Sequence, residues 1–204
     1  YFPKFFHPDP TVKRQSGFLT PSISASNSNS YFKIPYFFEI SENSDFTFSP
    51  RIYDKQKNIY QGEYRLLTKN SNHIFDSSIQ SGDFLIPSNN SRTHFFSKSS
   101  LKTEFDYFNF SEFNLELQFS SNDNYLKYNN LNSPIISSQT TLSSKLDFNA
   151  TSDDLDLSIS GEAFEDLTEE KDSDKYEFIL PNFSVTKNFN TQLPGSLSMT
   201  NIGY

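Results

Sequence analysis

The chain has 204 residues, enough for one large β domain or two small ones. A net charge of −8 and a pI near 4.8 exclude a nucleic-acid partner, which needs a basic face to displace counterions. The absence of Cys excludes a disulfide framework or thiolate metal site within this stretch. No window of about 18 apolar residues is present to form a transmembrane helix.

Hydrophobic residues make up only 34% of the chain and half of them are aromatic, with 23 Phe and 11 Tyr against two Val. A soluble β-sandwich draws its core from Val, Ile and Leu. An apolar band facing lipid around a polar interior needs the balance found here.

The first residues, 1–16, stand apart. They hold Pro3, Pro8 and Pro10 and the basic pair Lys13 and Arg14. Proline removes ladder donors, so this stretch reads as the end of an earlier element followed by a linker. The chain opens at Tyr1, in what reads as mid-domain, and is expected to be a piece of a longer protein.

From residue 17 onward short alternating segments follow. Successive side chains on a strand point to opposite faces, so each such segment has a greasy face and a wet one. Residues 18–27 are Ser-rich and contain Pro21. In 31–42, Phe32, Ile34, Tyr36, Phe38 and Ile40 share one face, while Lys33, Pro35 and Glu39 take the other. Phe46, Phe48 and Ile52 then oppose Thr47, Ser49 and Arg51. Tyr60, Gly62, Tyr64 and Leu66 oppose Gln61, Glu63 and Arg65, whose opposite charges are placed to pair along an inner wall.

Residues 73–80 and 92–102 alternate poorly. Phe113, Leu115, Leu117 and Phe119 alternate cleanly, and the polar stretch 122–132 after them predicts an exposed loop. Two more ribbons run over 142–150 and 155–159, and the acidic run 165–174 predicts a second long loop. In 176–187 the apolar positions move from even (Tyr176, Phe178, Leu180) to odd (Phe183, Val185), which predicts a bulge near Leu180 and Pro181. Residues 193–199 open a last strand. The pattern predicts an all-β, antiparallel transmembrane β-barrel, incomplete here, with about ten or eleven strands.

Catalytic chemistry is poorly supplied. His7, His73 and His94 lie far apart, and the acidic pairs Asp153/Asp154 and Glu169/Glu170 lack the spacing of a Ca²⁺ loop. No catalytic residue, metal site or cofactor is expected. The prolines inside strands are more informative. Pro21 and Pro35 fall near the middle of the first two ribbons, where a central strand avoids proline. They mark a weakly paired edge, which in a barrel is a possible lateral exit.

The run Arg14-Gln15-Ser16-Gly17-Phe18-Leu19-Thr20-Pro21 resembles the segment that opens the barrel in the LptD family of outer-membrane LPS-assembly proteins. Ile34-Pro35-Tyr36-Phe37-Phe38-Glu39-Ile40 and Asp45-Phe46-Thr47-Phe48-Ser49-Pro50-Arg51 follow in the family's order. So do Gly62-Glu63-Tyr64-Arg65-Leu66-Leu67 and Asn122-Asp123-Asn124-Tyr125-Leu126. The chain departs at Phe37 and Leu67, where Tyr and "Y-L" are usual, without a change of face. Beyond Leu131 only the alternation continues.

The resemblance implies the end of a periplasmic β-jellyroll and linker at 1–16 and the N-terminal part of an outer-membrane barrel at 17–204. It implies insertion of lipopolysaccharide into the outer leaflet by lateral release through a weak seam, without catalysis. Pro21 and Pro35 would form the lateral gate. Arg14, Gly17, Phe18, Leu19 and Tyr36 would be motif residues at the barrel entry. The implied partners are lipopolysaccharide, outer-membrane lipids, the plug lipoprotein LptE and the periplasmic bridge protein LptA. A porin-like channel on the same barrel, and a soluble β-solenoid or sandwich, stay open as alternatives.

Overall fold

The computed structural model describes residues 14–25, 30–81, 91–191 and 195–203. Thirteen strands form one antiparallel sheet: β1 (Gly17–Phe18), β2 (Ser22–Ser24), β3 (Tyr31–Lys33), β4 (Tyr36–Ser41), β5 (Ser44–Tyr53), β6 (Asn58–Leu67), β7 (Ser71–Ser81), β8 (Arg92–Thr103), β9 (Phe110–Ser120), β10 (Thr141–Thr151), β11 (Leu155–Asp166), β12 (Tyr176–Phe189) and β13 (Leu197–Gly203). Two short helices, α1 (Tyr125–Tyr128) and α2 (Asp172–Lys175), lie in connections. From β4 onward each strand pairs with the next, as in a meander. β1/β2 at one side and β13 at the other are the edges of an open sheet.

The short pieces belong together. β1 and β2 form one interrupted ribbon lying along β3 and β4, which are themselves one ribbon broken at Ile34 and Pro35. With those joined, eleven ribbons remain among the described residues. Residues 1–13, and with them nearly all of the proposed linker and His7, lie outside the described residues, as do 192–194 near the start of the last strand.

The alternation read from the sequence is realised in three dimensions. Tyr36, Phe38, Phe46, Phe48, Tyr60, Tyr64, Phe75, Phe95, Phe119, Leu117, Leu115, Leu146 and Ile159 follow one another across the ladders on a single face. Many of them are exposed, Phe119 by 55%. Gly62 belongs to the same face, and the ring of Phe46 lies over it, 2.8 Å from where a Cβ would stand. Asp45, Ser49, Arg51, Gln61, Asp76, Ser78, Gln80 and His94 occupy the opposite face, and they are buried. A soluble sheet buries its rings and wets its carboxylates. This sheet does the reverse.

Two details answer particular expectations. In β12 the stretch Ile179–Asn182 faces Glu162–Ser160 of β11 with one residue to spare, so the bulge at Leu180 and Pro181 is present. Residues 73–80 and 92–102, irregular in sequence, lie in fully paired β7 and β8. The connections also sort by end. Turns at 42–43, 68–70 and 152–154 close one end of the sheet, and the longer segments 121–140 and 167–175 lie at the other.

Candidate functional site: a weak edge and an inserted segment

The edge ribbon pairs with its neighbour at five positions, against eleven between β10 and β11. Gly17 faces Phe37 and Phe18 faces Tyr36. Beyond Pro21 the register has moved by one residue, so that Ser22 faces Lys33. At the step Leu19 donates its N–H to the Pro35 carbonyl at 2.9 Å. An antiparallel pair of this kind normally exchanges two bonds, and proline has no N–H with which to make the second.

The next ladder repeats the defect. Ile34 donates to the Pro50 carbonyl at 3.3 Å, and Pro50 likewise has no donor to return. Pro35 thus removes one bond between the first and second ribbons, and Pro50 removes one between the second and third. On the apolar face aromatic packing continues across this region. Phe18 meets Tyr36 edge-on at 4.9 Å, and Tyr36 lies 4.5 Å from Phe38. A Cβ on Gly17 would meet open space, so sterics do not demand glycine there.

Where the chain enters the sheet, one carboxylate gathers two guanidiniums. Asp45, at the start of β5, faces Arg65 directly across the ladder, with Nε to Oδ1 at 2.7 Å. Arg14 forms an ion pair with the other oxygen of Asp45 and lies over the Phe37 ring at 5.4 Å. Ser16 Oγ accepts the N–H of Glu39 at 2.8 Å. The lead-in is therefore tied to the polar face before β1 begins. Arg65 also lies 3.5 Å from Glu63, the pairing its sequence position predicted.

The stretch 122–132, predicted to be an exposed loop, is the largest correction. Residues 121–140 fold back over the polar face, and Tyr125 and Leu126 are 0% exposed. Tyr125, Leu126, Leu131 and Ile135 pack on Ile59 of β6 and Phe96 of β8, with Leu142 and Leu167 completing the cluster. Burial of those side chains drives the insertion, at roughly 1.5–3 kcal/mol for each fully covered aliphatic or aromatic group. The acidic run 165–174 is partly structured as well, ending β11 and entering α2.

Polar contacts fix the inserted segment in place. Arg51 Nη1 donates to the Asn129 carbonyl at 2.8 Å, and both terminal nitrogens reach the Asn130 carbonyl at 3.5 Å. Gln61 Nε2 donates to the Asn132 carbonyl at 3.1 Å and to Asp76 at 3.0 Å. Asn130 takes a positive φ of 45°, a conformation Asn tolerates better than most residues. From the far side Lys175 Nζ binds Asp123 at 2.8 Å and Glu165 at 3.2 Å, and these carboxylates push its pKa up.

Beneath Tyr125 lie Asp76, Ser78 and His94. His94 Nδ1 is 2.7 Å from Ser78 Oγ, its Nε2 is 3.4 Å from Asp76 Oδ1, and Ser78 Oγ is also 2.7 Å from the Tyr125 hydroxyl. These are the residue types of an acyl-transfer triad. Here all three are buried and the serine hydroxyl is already engaged by Tyr125. The hydroxyl contact ties Tyr125 of the segment to the wall. Among the described residues no group of three or more His, Asp or Glu side chains is placed to hold a metal ion.

Of the residues singled out from sequence, Arg14, Gly17, Phe18, Leu19, Pro21, Pro35 and Tyr36 do gather at one edge. Arg51, Gln61, Asp76, Ser78, His94 and Tyr125 were not anticipated as a group. Their signal was parity: each wall residue sits on the wet side of its strand, opposite the rings.

An open antiparallel sheet with rings outward, polar groups inward and a covered inner face defines the class of protein: part of the wall of a transmembrane-type β-barrel. The comparison with known proteins is more particular. The chain is 42% identical over 64 residues to the LPS-assembly protein LptD of Pseudomonas entomophila, covering 31% of this chain and 7% of that protein. The LptD of Pseudomonas fluorescens is 38% identical over 72 residues, 35% of this chain and 8% of its own length. That of Polaromonas sp. is 39% identical over 85 residues, 41% of this chain and 10% of its own. The matches thus span a tenth or less of these relatives, and no family model matches the chain.

Proposed function

We propose that this chain is the opening part of an outer-membrane barrel that inserts lipopolysaccharide into the outer leaflet by lateral release between its first ribbon and a closing strand. Pro21 and Pro35 form the lateral gate, and the protein performs no catalysis. The similarity to LPS-assembly proteins supports the cargo. The observation that carries the route is the Leu19–Pro35 pair, in which only one of two ladder bonds can form.

The physical case rests on the cargo's two natures. Acyl chains prefer hydrocarbon, whereas sugars and phosphates are costly to drag through it. A seam that parts lets the sugars follow the wet interior while the tails enter lipid. Parting a ladder in hydrocarbon exposes backbone groups at several kcal/mol each. A ladder that never held its full set of bonds costs less to open. The segment 121–140, covering the polar face, also disfavours an open diffusion channel.

In this reading the lead-in at residues 1–16 is periplasmic and receives cargo from a bridge protein of the LptA type. An LptE-type lipoprotein plugs the completed barrel. The test uses the full-length protein. Replacing Pro21 and Pro35 together by alanine supplies two N–H donors at the seam and slows appearance of lipopolysaccharide at the cell surface. Unchanged delivery, with the variant barrel folded in the membrane, overturns the reading.

A further inference from the structure

We propose that Arg51 is a positioning residue that couples the inserted segment to the seam, so that withdrawal of residues 129–132 loosens β3 and the step at Pro35. The inference rests on the lateral-release reading for its purpose, though the coupling itself is a property of the fold.

Arg51 stands where the two features meet. It follows Pro50 in β5, and its backbone pairs with Lys33 of β3 on one side and Ile59 of β6 on the other. Its guanidinium is buried, the residue being 4% exposed. It lies between the Asn129 and Asn130 carbonyls and the Tyr31 ring, whose centroid is 5.4 Å away. Tyr31 and Lys33 are the same β3 residues that pair with Ser24 and Ser22 of the edge ribbon. One side chain therefore touches the segment and braces the strand beside the seam.

Charge makes the contact conditional. Lys33 and Arg51 are directly paired cations on the same face, an arrangement that destabilises a ladder. The main-chain carbonyls of Asn129 and Asn130 draw the guanidinium toward the segment, and together with the Asp76 and Glu63 carboxylates of the wall they offset that repulsion. When the segment leaves, the guanidinium loses both carbonyl acceptors and its cover, keeps its contact with Tyr53 of its own strand, and swings toward the water that enters. Its departure takes away the support under Tyr31 and exposes β3 to the Lys33 repulsion, at the level where Pro50 already withholds a bond. The clasp is also less than full: Arg51 Nε and Asn129 Oδ1 are both buried without a hydrogen-bond partner.

The test is amide hydrogen exchange on the full-length protein in bilayer discs. The segment is released by Tyr125→Ala, and its opening is verified by faster exchange at residues 126–131. Exchange at residues 31–34 is then expected to rise roughly tenfold in the Arg51 protein and by less than about twofold in an Arg51→Met background. Lys33→Met is expected to blunt the response and Arg51→Lys to restore part of it, a pattern that general loosening of the wall does not produce. Should Tyr125→Ala leave the segment closed, replacement of 125–131 by a Gly/Ser linker takes its place. Residues 31–34 unmoved by an open segment, or moved equally in both backgrounds, would overturn the coupling. Coupling without any effect of the seam prolines on delivery would instead sink the transport reading alone.

Discussion

Asp45 and Arg65 face each other across β5 and β6, and the same carboxylate reaches forward to Arg14 in the lead-in. One nearly buried acid thus fastens the approaching chain to the wall. Removing one member of a buried pair can cost about 3–5 kcal/mol, but both guanidiniums are 45% exposed and re-solvate, so about 1–2 kcal/mol is the appropriate expectation. Asp45→Asn should therefore spare the barrel and free the lead-in. Tryptic cleavage at Arg14 of the membrane-embedded protein should rise roughly tenfold; an unchanged rate would mean that the lead-in is held elsewhere.

Pro50→Ala tests the second missing donor. The new N–H faces Ile34, and a hydrogen bond there contributes about 0.5–1.5 kcal/mol. The substitution also gives the unfolded chain more freedom, worth about 0.4–1 kcal/mol in the opposite sense. The two nearly cancel, so melting of the barrel should hardly move, while the amide of residue 50 becomes protected from exchange. An unprotected alanine amide at that position would show that the ladder is held apart by something other than proline.

How far the sequence revealed this depends on which face a residue serves. Phe113, Leu115, Leu117 and Phe119 alternate with polar partners because their strand has lipid-type surface on one side only, and the pattern was plain. The slip at Leu180 and Pro181 was readable for the same reason. In β7 and β8 the rule blurs: Ile74 and Phe96 point to the polar face and pack with the inserted segment, so apolar residues occur on both sides. The segment itself reads as an exposed loop because Tyr125, Leu126, Leu131 and Ile135 are scattered among Asn and Ser, although those four side chains are what bury it. Pro21 and Pro35 could be noticed in the sequence, but the role of Pro50 requires knowing that Ile34 lies opposite. Contacts such as Arg51 to Asn129 span too great a sequence distance for any local pattern to carry them.

Tyr125 offers a graded test of the insertion. Tyr125→Phe removes one hydrogen bond, yet Ser78 keeps its contact with His94, so the loss should stay near the low end of about 0.5–1.5 kcal/mol. Tyr125→Ala deletes a ring packed at 0% exposure and should cost about 3–5 kcal/mol locally. Limited proteolysis within 121–140 should accordingly be nearly unchanged for the first and strongly accelerated for the second, while the strands remain resistant. Equal susceptibility of the two variants would show that the hydroxyl, rather than the buried ring, carries the attachment.

Lys175 ties the segment from its other side, and its pH behaviour follows from the direction of its shift. Asp123 and Glu165 favour the charged amine and raise its pKa above the ordinary 10.5. A raised pKa means that the contribution is fully present below that ordinary value and is lost only as the pH climbs through the higher, folded one. The tie should therefore be constant from about pH 6 to pH 9 and fail only in strong alkali. Its size is limited because Asp123 is 42% exposed, which leaves about 0.5–1 kcal/mol after screening. Lys175→Met should raise exchange around residue 123 a few-fold over wild type at pH 7, and by the same factor at each pH up to 9. A wild-type protein whose segment opens steadily between pH 6 and pH 9 would contradict this assignment and move the search to other titrating groups around the insertion.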